Sequence, residues 1–469
     1  MPYNQTQTNM KRKDIMDSDG CMSIVIVGGG ASGTLLAVHL LRRKLPNLRI
    51  ILIEPDDLGA GAAYRTDRPE HLLNVTAGRM SAYPDDPDHF LRWVNRHTPC
   101  QPTDFVGRGL YRKYLQQVLD EALTQVPAGT WSIYRARAKH IEPNAYGAIV
   151  TLDNGTILHA DRVVLAVGNQ APRHPETTTP EFVQMPQYLG NPWAGGLGKI
   201  ASTEDVLLIG TGLTAVDVLL TLDRNGHRGH ITALSRHGRW PLPHAEPPCA
   251  SYTFSESLPD DCLGLLRAVR QGVIEAASAG LPWQAVIDAL RPHTNRLWQR
   301  FSASERCRFV RHLMPLWNIV RHRIPAGSAD LIEKMSSAGR LSVLAGRLQR
   351  VDQLTHAKLS ATVSHSNGAH TLLRPRWIIN CTGPNPHLAL SESSLLRQLF
   401  AEGYAEADPL RMGLHVSAKG ALIDHAGEVS SVLYAVGPLR RGNLLESTAI
   451  HEIRQQVVAF CERLVSVAV

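Results

Sequence analysis

Two stretches of the chain share one hydrophobic pattern. "IVIVGGGASGTLLAVHL" runs from Ile24 to Leu40 and "VLLIGTGLTAVDVLLTL" from Val206 to Leu222. Each opens with an unbroken apolar run, as a central parallel strand buried on both faces requires. Each then turns through glycines into a helical pattern. A second apolar run follows each unit: "LRIILIE", closing on Glu54, and "GHITALSRHGR", in which the strand closes on Ser235 and Arg236. Further on, each half predicts a strand, a hairpin and a buried strand that ends in glycine. The hairpin turns are Asn154-Gly155 and Asn367-Gly368, and the closing glycines are Gly168 and Gly383. The chain therefore reads as a duplicated α/β unit, crossing between halves near Gly168 and Gly383.

The pattern changes to helical spacing over about residues 251–327, with "DCLGLLRAVRQGVIEAASAG", "LPWQAVIDALRPH" and "SASERCRFVRHLMPLWNIVRHR". Ser302 and Glu305 predict a capping box there. The segment is crowded with arginine and histidine. It reads either as a lid that selects an anion or as an amphipathic insertion with a basic solvent face. The final stretch predicts a strand, a loop at Gly437 and a helix.

The glycine turns carry the chemistry. Gly28, Gly30 and Gly33 fill G-x-G-x-x-G. The first permits the tight turn, the second admits a pyrophosphate, and the third lets helix pack on strand. The helix N-terminus then offers free N–H groups to phosphate, and Ser32 can add a hydroxyl. Glu54 lies about 20 residues beyond these glycines, where a carboxylate accepts from both ribose hydroxyls and repels a 2′-phosphate. The first unit thus expects FAD or NAD. Gly210, Gly212 and Ala215 fill G-x-G-x-x-A. Here the following strand ends in Arg236, whose guanidinium suits a 2′-phosphate, with Arg239 or His237 assisting. The second unit expects NADPH. One site for a resident flavin and one for a visiting hydride donor accounts for two cradles in one chain.

This sets the expected fold class as α/β, with two Rossmann-like dinucleotide-binding domains and a helical insertion. The expected boundaries are a disordered tail at 1–20, an FAD-binding domain over 21–190, an NADPH-binding domain over 191–380 containing the insertion, and a return of the FAD domain over 381–469.

Composition removes other classes. The 469 residues carry a formal net charge of +7, with dispersed basic residues, so nucleic acid is not an expected partner. No apolar run approaches the ~18 residues of a membrane span, and the polar start has no secretory h-region, with Lys11–Lys13 as solvated charge. A cytoplasmic protein without a membrane partner is expected. Seven cysteines form no C-x-x-C, which argues against a zinc ribbon, a redox dithiol and a disulfide reductase. No metal site is expected. The oligomeric state stays open.

The two fingerprints, the two strand–glycine crossings and the returning helix resemble the flavin-dependent NADPH monooxygenases that include N-hydroxylases and Baeyer–Villiger enzymes. More specifically, "GAAYRTDRPEHLLNVTAGRMSAYPDDPDHFLRWV" (Gly61 to Val94), "FVGRGLYRKYL", "HLMPLWNIVRHRIP", "INCTGP" and "AVGPLRRGNLLESTAIHEIRQQ" are similar to a bacterial FAD-NAD(P)-binding family that contains an FAD-dependent urate hydroxylase. The resemblance covers about residue 22 to the end. It implies an FAD-dependent, NADPH-using monooxygenase whose partners are O2 and a small molecule, acting through a flavin C4a-(hydro)peroxide. It implies that Asn74 to Met80 lie against the flavin ring and that Arg108 faces the cleft. Tyr64, Trp317 and Arg321 to Arg323 are implied as cleft wall. It also implies that the segment after Gly437 points a helix N-terminus at the flavin. Asn74, Met80, Arg108, Arg321 and Arg323 are thus the catalytic candidates, with Asn74 and Gly437 also cofactor contacts. One departure stands out. The aromatic-x-G-x-x-x-H pattern of Baeyer–Villiger and N-hydroxylating enzymes is not kept, because Tyr188-x-Gly190 has no histidine after it.

Substrate classes remain open at this level. A urate-like anionic heterocycle suits an arginine-rich lid. A primary amine or amino acid, the N-hydroxylase alternative, would need an acidic partner, for which Glu305 and Asp330 are candidates. An NADPH oxidase or flavin reductase, or a non-enzymatic nucleotide-binding regulator, are the readings from other classes. His244 is expected to be structural.

Overall fold

The computed structural model describes residues 21–246, 250–254, 257–355 and 358–468. The expected tail, Lys11–Lys13 and Cys249 lie outside the described residues. Six strands form the first sheet, in the order Ala421–Ile423, Val429–Ala435, Arg162–Leu165, Met22–Val27, Leu48–Ile53 and Trp131–Tyr134. All pairs are parallel except the one at the Ala421–Ile423 edge. Val27 stands opposite both Ile53 and Leu165. The carboxyl ends are therefore level, and the segments that leave them, at Gly28, Glu54 and Ala166, share one rim.

The helices Ala31–Arg42, Arg108–Thr124 and Ile450–Ala468 cover one face of this sheet. The antiparallel sheet Ala138–Pro143, Ala148–Leu152, Ile157–Ala160 and the helix Ser394–Ala401 cover the other. Burial on both faces is why Ile24 to Ile26 read as an unbroken apolar run and are fully buried.

The second sheet is parallel, in the order Leu341–Ala345, Ile231–Ser235, Val206–Ile209, Trp377–Asn380 and Tyr188–Leu189. It carries its own three-stranded antiparallel sheet, Arg347–Thr355, Lys358–Ser364 and His370–Leu373. Tyr188 and Leu189 correct the expected boundary at 190. They pair with Ile378 and Ile379 of the second sheet, so the crossing precedes them. The two crossings also meet each other. Gln170 and Asn385 form an antiparallel bridge just beyond Gly168 and Gly383, which have φ of +65° and +84°.

The insertion is helical and packs its own core of Trp298, Phe301, Phe309 and Trp317 against Met412 and Leu445 of the return segment. Half of the expected capping box forms. Ser302 Oγ accepts from Glu305 N at 3.2 Å, but the Glu305 carboxylate accepts from Cys262 N at 2.7 Å instead of turning back. The helix expected over "SASERCRFVRHLMPLWNIVRHR" is interrupted by a π-helical stretch, Phe309–Leu313, ahead of Met314–Arg321. Pro315 lacks an N–H and cannot continue the regular ladder there. Among the described residues, no helix is long and apolar enough to cross a membrane.

Candidate active site

A single cavity of about 1660 Å³ runs along the rims of both sheets, under the insertion and up to the last helix. Ordinary small-ligand pockets hold about 300–1,000 Å³, so this one has room for more than one ligand.

Its floor is two equivalent turns. At Gly28, φ is +102° and a Cβ would stand 2.6 Å from Ala166 O; at Gly210, φ is +116° and a Cβ would stand 2.3 Å from Cys381 O. In both units the first glycine lies against the carbonyl that ends the neighbouring strand, so a side chain is excluded twice over, by conformation and by space. The helices that follow, Ala31–Arg42 and Leu213–Arg224, begin at Gly30 and Gly212 and have no side-chain cap. Asp261, Ser302 and Ser393 cap helices elsewhere in the chain, while Arg108–Thr124 and Ala326–Ser337 also begin without a side-chain cap. The first-turn N–H groups of both glycine-turn helices are left for something other than a side chain. Gly28, Gly30, Ser32, Gly210 and Gly212 line the cavity. Gly33 and Ala215 do not. A Cβ at Gly33 would meet Gly28 O at 1.8 Å and Ala215 is fully buried, so both serve helix–strand packing.

The residues that distinguish the two cradles also face the cavity. Glu54 lines it and accepts from Gly29 N at 2.7 Å and Asp56 N at 3.1 Å. Arg236, His237 and Arg239 line the other end with exposed side chains. Thr211 fixes their loop, donating to Arg239 O at 2.6 Å and sharing a hydroxyl–hydroxyl hydrogen bond with Ser235 Oγ at 2.9 Å.

Between the cradles, Tyr64, Asn74, Met80 and Arg108 line the cavity. Burial raises the Tyr64 phenol well above its ordinary range. Arg108 is not a free cation. Its guanidinium forks onto Asp217 at 2.6 and 3.1 Å, and its Nε donates to Leu72 O at 2.9 Å. Asp217 belongs to the second unit, so Arg108 ties the two halves together. His71 does the same through Thr221 Oγ1 at 2.9 Å. His244, expected to be structural, bonds Asn74 O at 3.1 Å and holds the 72–80 loop against the second half. Burial, and then the nearby Arg323, lower its pKa to about 4.

The insertion places Pro315, Leu316, Asn318, Ile319, Arg321 and His322 on the wall. Of the two readings of the insertion, the pairing of Arg321 and Arg323 weakens the one of an anion-selecting lid. Arg321 pairs with Glu446 at 2.8 Å and Glu452 at 3.5 Å. Arg323 pairs with Asp288 and does not line the cavity. Trp317 is likewise not a wall residue, since its indole donates to Glu446 at 3.0 Å behind the wall. Glu305 pairs with Arg308 in the insertion and Asp330 is exposed, and neither reaches the cavity. Gly437 is also displaced from the wall. Its N–H donates to Gln456 at 2.8 Å and its Cα side abuts Ser32. Pro438, Arg441, Leu445 and Thr448 to Ile450 take its place, which brings the start of the last helix to the cavity. Sequence patterning had singled out neither Arg441, Asn318 nor Asp217, because each becomes a site residue through a contact distant in the chain.

Residues 25–170 match the FAD-NAD(P)-binding family model. A salicylate hydroxylase of Sarocladium schorii is 30% identical over 169 residues, 30% of this chain and 34% of that protein. The chain thus spans about a third of that relative's length. Among solved structures, an ornithine N-hydroxylase of Kutzneria sp. 744 matches with a TM-score of 0.63 at 14% identity, covering 96% of this chain and 100% of that one. A cadaverine monooxygenase of Erwinia amylovora, solved with FAD, matches with a TM-score of 0.64 at 12% identity and 94% coverage of each chain. L-lysine 6-monooxygenase of Pseudomonas syringae matches with a TM-score of 0.61 at 15% identity, covering 96% of this chain and 100% of that one. The fold is that of the two-dinucleotide-binding flavoproteins.

Proposed function

We propose, from the premise that residues 25–170 belong to the FAD-NAD(P)-binding family, that the chain is an FAD-dependent monooxygenase that draws its electrons from NAD(P)H. The observation that carries this reading is the pair of uncapped glycine-turn helices opening on one cavity, one beside Glu54 and the other beside Arg236. The donor set fits the cofactor. Backbone N–H groups after Gly30 and the hydroxyl of Ser32 suit a pyrophosphate, and Glu54 suits an unphosphorylated ribose. Asn74 and Met80 would border the ring system, with the start of the last helix favouring negative charge on it. FAD, when bound, accepts hydride and activates O2. Gly210, Gly212 and Arg236 suit NADPH in the second cradle.

The chain's own part is positional. Arg108 with Asp217, His71 with Thr221 and His244 with Asn74 hold the two cradles at one spacing. The insertion and the return segment roof the cavity and keep water from the reacting atoms. The partners are O2 and a small polar molecule. As oxygen acceptor, the nitrogen of an amine or amino acid is favoured over a urate-like ring carbon, because the matching structures include an ornithine N-hydroxylase and monooxygenases of lysine and cadaverine.

Purified protein should be yellow, should bleach on anaerobic addition of NADPH faster than with NADH, and should recover colour in air. Colourless protein that takes up no added FAD overturns the proposal. NADPH consumption that yields hydrogen peroxide alone with every amine, amino acid and purine offered would favour an oxidase instead.

A further inference from the structure

At the cavity wall, three arginines gather around two carboxylates. Arg291 pairs with Glu452 at 2.8 Å, and Arg321 pairs with Glu446 at 2.8 Å and Glu452 at 3.5 Å. The other oxygen of Glu446 accepts from Trp317. Both oxygens of Glu446 are thus engaged, whereas Glu452 takes both arginines on one oxygen and keeps the other buried without a partner. The third cation, Arg441, lies within electrostatic reach of Glu446 and of His322. It forms no ion pair or side-chain hydrogen bond among the described residues. Its neighbour Arg440 shows the contrast, donating to Ala418 O at 3.0 Å.

Arg441 is partly buried and faces the cavity, where burial lowers its pKa. His322 beside it adds no charge, because burial and the neighbouring Arg321 and Arg441 hold its pKa near about 3. The cluster therefore carries one positive charge more than its carboxylates balance, and that charge faces the cavity. Burial also raises the Glu446 carboxyl, and protonating it would only enlarge the excess. Unbalanced buried charge is costly unless a partner arrives. On the same wall, Asn318 has a buried side-chain oxygen without a partner, which would accept from an N–H or O–H of the ligand and not pair with its carboxylate. No Asp or Glu of the insertion or the return segment from Pro438 onward lines the cavity. A cationic head group would find no counter-charge on this wall, whereas a carboxylate would.

We propose that Arg441 is the specificity-determining cation of the site and binds a carboxylate carried by the substrate. The inference rests on the monooxygenase reading only in calling that ligand a substrate.

The test uses the FAD-loaded protein with acetate, benzoate and neutral benzamide as probes, at fixed ionic strength set with chloride. Thermal midpoint and flavin absorbance are read. Acetate or benzoate should raise the midpoint of the parent protein by several degrees and perturb the flavin spectrum, while benzamide does neither. Arg441→Met should weaken carboxylate binding at least tenfold and, without carboxylate, melt no lower than the parent, because it removes an unbalanced charge. Arg441→Lys should keep a weaker response. A parent protein indifferent to both carboxylates overturns the inference, as does an undiminished response in Arg441→Met. Loss of FAD from Arg441→Met also overturns it, since the cation would then serve the cofactor. Yellow protein that NADPH bleaches but that ignores carboxylates sinks this inference alone. Colourless protein sinks the function.

Discussion

Arg236 and Arg321 are the same residue type with opposite fates. Arg236 follows directly on the strand Ile231–Ser235 beside the second cradle and lines the cavity with an exposed side chain. Arg321 is spent on Glu446 and Glu452. The first was legible because its meaning depends on a nearby strand and glycine turn. The second was not, because its partners come from the last segment of the chain. Replacing Arg236 with Ala should weaken NADPH binding by about 1.5–3 kcal/mol, as expected for a lost charged hydrogen bond, and leave NADH nearly unchanged. Titrating both coenzymes against the variant checks this, and equal losses refute the role. His244 makes a pH prediction. Its pKa falls from 6.5 unfolded to about 4 folded, so between those values the unfolded chain binds the extra proton. Stability is therefore full above pH 6.5 and declines as pH falls toward 4, by an amount on the order of 3 kcal/mol from this group. Denaturant midpoints across that range should fall less steeply in His244→Gln.

Among the elements, each strand–turn–helix unit is written in about twenty adjacent residues and was read correctly for that reason. Gly28 should tolerate no side chain. Gly28→Ala places a Cβ 2.6 Å from Ala166 O at a φ of +102°. It should cost roughly 2 kcal/mol or more and abolish flavin retention. Gly155, in a hairpin turn with φ +85° and nothing within 4 Å, is the control. Gly155→Ala should cost about 1 kcal/mol through backbone strain alone and keep the flavin. Denaturant midpoint together with flavin absorbance separates the two. Short or irregular elements were misread. Tyr188–Leu189 is too brief to show a period, and the π-helical stretch before Pro315 has an ordinary helical composition.

At the scale of the whole molecule, the site depends on how one half seats on the other. The forked Arg108–Asp217 pair, largely buried and spanning the two halves, is a charged tie between them. Asp217→Asn leaves Arg108 buried without its counter-charge and should cost about 3–5 kcal/mol. The double variant Arg108→Met, Asp217→Leu should lose clearly less than the two single losses together, since it removes both charges at once. A double-mutant cycle by urea unfolding measures this. Additive losses would mean that the pair does not act as one tie.

The sequence by itself determined the duplicated α/β plan, the two glycine cradles and the opposed residues Glu54 and Arg236. These rest on local rules: strand period, turn conformation, and the residue that ends the next strand. Only the tertiary structure decided which charges are spent and which remain open. Arg108, Arg321 and Arg323 are neutralised by carboxylates far along the chain, while Arg441 is left facing the cavity. Charge balance in a buried site depends on distances between residues remote in sequence, and no local pattern encodes those distances.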